Sequence, residues 1–300
     1  RSFSRKNLLF PFKLISSLIK SRKIIRRFQP DLVIGTGGFA SGPLLYEASR
    51  KGIPSVIQEQ NSYPGITNKL LAKSVQKICV AYDNMERFFP KEKLIFTGNP
   101  IRKEILNSSN KREEGKNFFK LHNRRITVLV VGGSLGAKTI NESINNNLGE
   151  FKKNKLNLIW QTGVSYENQS KESVKNINVS GIQSYKFIKE MDLAYAAADI
   201  IVSRAGAIAI SELCFVGKPV ILVPSPNVAE DHQTQNAQSL VNKNSALMVK
   251  DVESRLKLVE KIKSLSENKD LQEELSRNIK KLEVKDAADR IADLSLELVK

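Results

Sequence analysis

Three stretches of this 300-residue chain place glycine where an apolar run gives way to a helical pattern, an arrangement in which the backbone itself can bind a ligand. They are DLVIGTGGFASGP with Gly35, Gly37 and Gly38, VVGGSLGAKTIN with Gly132, Gly133, Ser134 and Gly136, and IIVSRAGAIAISEL with Gly206. Glycine lets the chain turn tightly and approach a ligand closely. The first amides of the following helix lack partners within it, so a phosphate finds donors and a favourable dipole there. Ser134 adds a hydroxyl to the second loop. Glu212 lies in the first turns of the third helix, where a carboxylate can accept both hydroxyls of a ribose or simply complement the helix dipole. A turn without a ligand would account for any one loop. Three together, at the carboxyl ends of parallel strands, predict a phosphate-bearing ligand in a cleft between two domains. The second loop lacks the G-K-[ST] ending of a P-loop, and GTGGFA does not follow the G-x-G-x-x-G dinucleotide fingerprint. Glu59 follows Gly35 at about the spacing of a ribose-binding acid in a dinucleotide fold, but it sits in the loop-like EQNSYPG. His122 and His232 are not spaced with acids or cysteines as a site, and no D-x-D motif offers a diphosphate-bound metal a seat, so no metal and no cofactor are assigned.

The elements that must position these loops alternate as short β-branched runs and longer helical patterns, the signature of βαβ units and an α/β fold. Strands are predicted at 31–34, 55–58, 77–81 and 94–97, then, after the polar stretch SSNKREEGKN, at 126–131, 156–160, near 182–187, 199–203, 219–223 and near 246–249. The length suggests two domains, and a 41% hydrophobic content gives each a core. A doubly wound domain has about six strands. The second set is complete on that count and the first is short of an opening βαβ portion, so the chain, which begins at Arg1 without a Met, reads as N-terminally truncated and inactive by itself. Domains are expected at 1–102 (partial, acceptor and membrane side) and 103–283 (donor side), with a helix at 284–300 packing back on the first. Cys79 and Cys214 lie in apolar surroundings and read as reduced, buried thiols.

The formal charge of +17 raises the question of nucleic acid, but the sequence carries no recognition-helix, finger or aromatic RNA-binding pattern, and beyond residue 31 the signs are mixed. The exception is the start, where nine of the first 27 residues are basic with no acid before Asp31. Leu8, Phe12, Ile15 and Ile19 recur there at helical spacing, with Leu14 and Leu18 widening the face and Lys13, Lys20, Arg22 and Lys23 around it. That is an interfacial pattern, which puts Phe10, Phe12 and Leu14 against an anionic membrane surface, although Ile15 and Ile19 could equally pack on the sheet. No apolar run approaches the roughly 20 residues that a spanning helix needs.

Taken in order, GTGGFASGP, IPSVIQEQNSYPGITNK, FTGNPIR, VVGGSLGAKTIN, SRAGAIAISEL and AEDHQTQNA resemble the UDP-N-acetylglucosamine:N-acetylmuramyl-(pentapeptide) pyrophosphoryl-undecaprenol N-acetylglucosamine transferases. The resemblance implies two Rossmann-like domains facing a cleft, the GT-B arrangement, with UDP-N-acetylglucosamine held mainly by the second domain and the lipid-linked acceptor, lipid I, by the first. It implies inverting transfer to give lipid II, at the cytoplasmic face of the bacterial inner membrane. Carried over by position, Asn61 and Arg102 meet the donor, with Arg102 near the diphosphate. Ser134 holds phosphate and Ile188 frames the uracil through its backbone. Ala207, Ile208, Ala209, Ile210, Ser211 and Glu212 wrap the nucleoside, with Glu212 on the ribose. Gln233, or its neighbour Gln235, touches the sugar, and Gly35, Gly37 and Gly38 form an acceptor-side loop. The family's N-terminal glycine-rich loop with its histidine has no counterpart among these residues, which leaves the general base unassigned. A non-catalytic nucleotide-sugar-binding subunit and an NAD-dependent oxidoreductase are the alternatives.

Overall fold

The computed structural model describes residues 10–108, 110–133 and 135–299, without the side chains of Phe10 and Ala229. Ser134, Leu8 and the Phe10 side chain, all singled out from the sequence, therefore lie outside the described residues. The chain divides into two compact units, one made of residues up to Asn99 together with those from Asp286 onward, the other running from Pro100 to Lys285.

In the first unit, α1 (Phe10–Phe28) leads into β1 (Val33–Gly35), α2 (Gly38–Arg50), β2 (Ser55–Glu59), α3 (Ile66–Leu71), β3 (Lys77–Val80) and β4 (Leu94–Phe96). The strands form one parallel sheet in the order β1-β2-β3-β4. Parallel strands are covered on both faces, which is why β2 reads SVIQE and is buried at every position. One face packs Val33, Ile57, Ile78 and Val80 against Leu45, Ala48, Leu71 and Ile25 of the helices. On the other, Val56 and Cys79 meet Ile291, with Leu294 and Leu298 beside it, from the C-terminal helix Ala287–Leu296 and its end. The chain thus returns to the unit it began in, and Arg290 donates to the carbonyl of Phe96 at 2.8 Å.

The second unit opens with α4 (Lys103–Leu106) and α5 (Arg112–Phe118), followed by β5 (Thr127–Val131), α6 (Lys138–Asn146), α7 (Leu148–Lys153), β6 (Asn157–Gln161), α8 (Glu167–Ile177), β7 (Ile182–Tyr185) and α9 (Met191–Ala197). Then come β8 (Ile200–Ser203), α10 (Ala207–Val216), β9 (Val220–Leu222), α11 (His232–Val241), β10 (Leu247–Met248), α12 (Ser254–Glu267) and α13 (Lys269–Lys280). The six-stranded sheet is parallel, in the order β10-β9-β8-β5-β6-β7. Read from β7, this is the doubly wound order 3-2-1-4-5-6, so the winding reverses between β5 and β8. Trp160 on β6 is fully buried, and its indole N–H donates to Asn141 Oδ1 at 3.0 Å. Asn141 in turn donates to the Thr162 carbonyl at 2.8 Å, which fixes the start of α6 against the end of β6. Both units are the parallel α/β sheets read from the sequence, and each strand segment expected there is a strand.

Candidate functional site

The reversal point of the second sheet opens into a cleft of about 570 Å³. Gly133, Gly136, Lys138 and Thr139 line it from the loop after β5, Arg204, Gly206 and Ala209 after β8, and Ser225, Asn227 and Gln233 after β9. Helices α6 and α10 begin after Ala137 and Gly206, residues that have no side chain with which to cap the first turn. Two sets of orphan amides and two positive dipole ends therefore face the same space, with the Lys138 ammonium beside them. The Arg204 guanidinium at the cleft wall is already committed. It donates to the carbonyls of Val223 and Pro224 at 3.0 and 3.1 Å and pairs with Asp251 at 2.5 Å. Thr139 donates to the same Asp251 oxygen at 2.5 Å, so Arg204 and Asp251 tie the ends of β8 and β9 to the start of α6. Gln233 accepts the Ser225 amide at 2.8 Å and lines the cleft, whereas Gln235 is exposed and not part of the lining.

Glu212, one helical turn beyond Ala209 on α10, is 3% exposed. Arg102 grips it with both arms of the guanidinium, Nε to Oε1 at 2.7 Å and Nη2 to Oε2 at 2.9 Å, and the Tyr195 hydroxyl donates to Oε2 at 3.2 Å. The hydrogen bond to Glu212 pushes the Arg102 pKa up, and burial, followed by the Glu212 charge, raises that of Tyr195. Arg102 thus sits on the residue expected at the ribose. Of the stretch 207–212, Ala209 lines the cleft and Ile210 is buried in the core, because an α-helix turns 100° per residue and cannot offer six successive side chains to one ligand. Ile188 is buried, and its amide donates to Gln161 Oε1 at 2.9 Å, while Gln161 Nε2 donates to the Gly133 carbonyl at 3.2 Å. Gln161 therefore couples the residue expected at the uracil to the phosphate-type loop.

In the first unit, Gly37 and Gly38 carry positive φ of 83° and 76° at the start of α2. Gly37 abuts Asn68, whose Nδ2 donates to the buried Glu59 at 2.7 Å. Glu59 also accepts from the Asn61 and Gly65 amides at 3.1 and 3.2 Å, so it braces the EQNSYPG loop and binds Asn61 to the GTGG turn. Among the described residues, α1, α2 and α3 enclose an apolar groove of about 600 Å³, lined by Leu14, Leu18, Phe39, Tyr46, Ile66 and Leu70 among others. Phe12, Phe39 and Leu70 are each more than 70% exposed, and Leu14, Ile15 and Ile19 are exposed as well. Among the described residues no three of His, Cys, Asp and Glu converge to hold a metal, and no helix is long and apolar enough to cross a membrane.

Sequence reasoning overlooked Arg204, Thr139, Asp251, Gln161 and Tyr195. Arg204 stands inside the quoted SRAG string and was available; Asp251, 47 residues further on, carries no local signal.

Helix starts gathered at the reversal point of a doubly wound sheet are a site suited to the phosphates of a nucleotide-type ligand. The chain belongs to glycosyltransferase family 28: the family's C-terminal domain matches residues 127–291 and its N-terminal domain residues 1–80. A protein of Flavobacterium psychrophilum called UDP-N-acetylglucosamine--N-acetylmuramyl-(pentapeptide) pyrophosphoryl-undecaprenol N-acetylglucosamine transferase is 52% identical, over 100% of this chain and 81% of its own length. One of the same name from Christiangramia forsetii is 50% identical over 98% of this chain and 79% of its own. Among solved structures, MurG of Acinetobacter baumannii superposes with a TM-score of 0.79 at 28% identity, covering 96% of this chain and 79% of that one. A UDP-GlcNAc 2-epimerase from Neisseria meningitidis, solved with UDP-GlcNAc bound, gives 0.68 at 15% identity over 95% and 81%, a likeness of fold alone.

Proposed function

We propose that this protein is an inverting hexosyltransferase that moves N-acetylglucosamine from UDP-N-acetylglucosamine to the 4-hydroxyl of N-acetylmuramyl-pentapeptide on undecaprenyl diphosphate, converting lipid I to lipid II. The observation that carries the reading is the half-identity, along nearly the whole chain, to relatives named for that reaction. In the proposed step the acceptor oxygen forms a bond to the anomeric carbon as the bond from that carbon to the diphosphate oxygen breaks. The acceptor proton passes to a base and UDP departs. Negative charge grows on the diphosphate, and the cleft suits it: the amides that open α6 and α10 are fixed in place before the reaction, so stabilising the charge requires no reorganisation. Glu212 is the ribose acceptor in this reading, Arg102 a donor that passes from Glu212 to the diphosphate, and Gln233 a contact to the sugar.

The acceptor is a lipid, and the exposed Phe12, Leu14, Ile15, Ile19, Phe39 and Leu70 beside Lys13, Lys20 and Lys23 support docking of the first unit on an anionic leaflet, at the cytoplasmic face of the membrane. The test of the reaction is incubation of the full-length protein with labelled UDP-N-acetylglucosamine and a short-chain lipid I analogue. Transfer with release of UDP and a β-linked product is expected. Tight UDP binding with no transfer would sink the enzyme reading and leave a binding subunit.

A further inference from the structure

Glu212 has a donor on its solvent side and another on its core side. Arg102 is 47% exposed along its side chain and covers a carboxylate that is itself 5% exposed. Tyr195, on α9, is buried at 3% and reaches the same carboxylate from within. A carboxylate offers about four acceptor positions, two on each oxygen. Nε of Arg102 occupies one on Oε1; Nη2 and the Tyr195 hydroxyl occupy both on Oε2. Among the described residues one position remains, on Oε1. A vicinal diol that donates from both hydroxyls, one to each oxygen, therefore fits only when one of the present donors leaves. The half-exposed guanidinium can leave towards a diphosphate, whereas the phenol is buried on the core side.

We propose that Tyr195 is a positioning residue for ribose recognition: it holds Glu212 Oε2 from the core side while Arg102 exchanges with the ligand, so that the open positions of the carboxylate meet the 2′- and 3′-hydroxyls together. This rests on the reading of Glu212 as the ribose acceptor. Two features of the site fit the role. Tyr195 and Glu212 come from different helices, α9 and α10, which flank β8, so the bond also fixes the rotation of α10 about its axis, the rotation that sets where Ala209 and the helix start point. Burial, and the Glu212 charge after it, disfavour loss of the phenol proton, which keeps Tyr195 a donor throughout the range in which the enzyme works.

The experiment measures binding of UDP and of 2′-deoxy-UDP by calorimetry to the full-length protein and to Y195F, E212Q and the double variant. Wild type is expected to prefer UDP by about tenfold or more, the scale of a hydrogen bond to a charged group. Y195F, which keeps the ring and leaves Glu212 paired with Arg102, is expected to lower that preference several-fold by weakening UDP while changing 2′-deoxy-UDP less than twofold. In the E212Q background the same substitution should add nothing to the ratio. A Y195F variant that weakens both nucleotides equally, or neither, overturns the positioning role, and so does one that unfolds in the absence of nucleotide as judged by circular dichroism. If E212Q itself keeps the wild-type ratio, the ribose reading of Glu212 fails, and the Tyr195 role with it. If E212Q abolishes the ratio and Y195F leaves it intact, the Tyr195 role alone fails.

Discussion

Replacing Gly136 by alanine should damage the phosphate cleft far more than replacing Gly133, three residues earlier in the same loop. Gly133 has φ of 88°, and a Cβ added there meets nothing within 4 Å among the described residues. Its substitution therefore carries only the left-handed backbone cost of about 1–2 kcal/mol. Gly136 has φ of 81°, and its Cβ would stand 2.2 Å from the Thr162 carbonyl oxygen and 3.4 Å from Asn141 Nδ2. Real Cβ contacts stop near 3.0 Å, so the two loops must part by most of an ångström. The carbonyl cannot recede freely, since it also accepts the Asn141 amide that holds Trp160. Gly163 closes the other side: a Cβ there would lie 2.3 Å from the Gly136 amide nitrogen. Backbone strain and lost packing together should cost about 3–4 kcal/mol of stability in Gly136→Ala. Because a misplacement near 1 Å is worth about a hundredfold in a preorganised site, UDP affinity should fall by roughly ten- to a hundredfold. Denaturant unfolding and UDP calorimetry on the two variants measure both quantities. If Gly136→Ala matches Gly133→Ala in stability and in affinity, the close approach of the loops after β5 and β6 does not shape the cleft.

Three further outcomes are expected. The wild type should co-sediment with vesicles containing anionic lipid, less so as salt rises, and a Phe12, Leu14 and Ile19 to Ser variant with unchanged circular dichroism should bind about tenfold more weakly; equal partitioning, or indifference to lipid charge, would put this helix face to another use. Burial pushes the Cys214 thiol up to about 12 and raises Cys79 as well, so neither should alkylate in the native state at pH 8 and both should do so on unfolding. Since these folded-state values lie above the unfolded one, the contribution is complete below pH 9 and fades as pH rises towards 12, so stability should decline on the alkaline side; native-state labelling at pH 8 would contradict the burial. Glu59→Gln puts an amide nitrogen where one carboxylate oxygen accepts, against either the Asn61 amide or the Gly65 and Asn68 donors, and should cost about 1–3 kcal/mol, seen as a lowered Tm with the fold retained; an unchanged Tm would mean that Glu59 does not brace the loop.

The strands could be read from the sequence because parallel strands must be apolar on both faces, and TVLVV or DIIVS says so without reference to anything distant. The loops could be read for a similar reason, since glycine at a strand end followed by a helical pattern is a local statement. What stayed hidden was pairing. Arg102 and Glu212 are 110 residues apart, Arg204 and Asp251 47, and each reads singly as a charged residue on a polar face. Tyr195 was hidden for a different reason. In MDLAYAAAD it looks like one more core residue of a helix, and its ring is one, while its hydroxyl is a hydrogen-bond donor to a carboxylate on the next helix.

The placement of charge carries the reasoning one step further. A chain of +17 has cations enough to line an anion site, yet the two arginines of this region are paired, Arg204 with Asp251 and Arg102 with the Glu212 that it leaves only in the proposed exchange with the ligand. What remains open towards the cleft is backbone, the starts of α6 and α10, with Lys138 at the rim. Amides at a helix start are neutral groups with a fixed direction. In the proposed reaction they share the diphosphate with the half-exposed Arg102, so the site needs no fully buried cation with its desolvation cost. For a transferase that must let UDP go after each turnover, that is the more useful design. The excess of positive charge in the described part of the first unit, on α1, is then free for the membrane docking proposed above, a task in which screening and reversibility are assets, since a loose hold on an anionic surface would let the enzyme meet a lipid-borne acceptor.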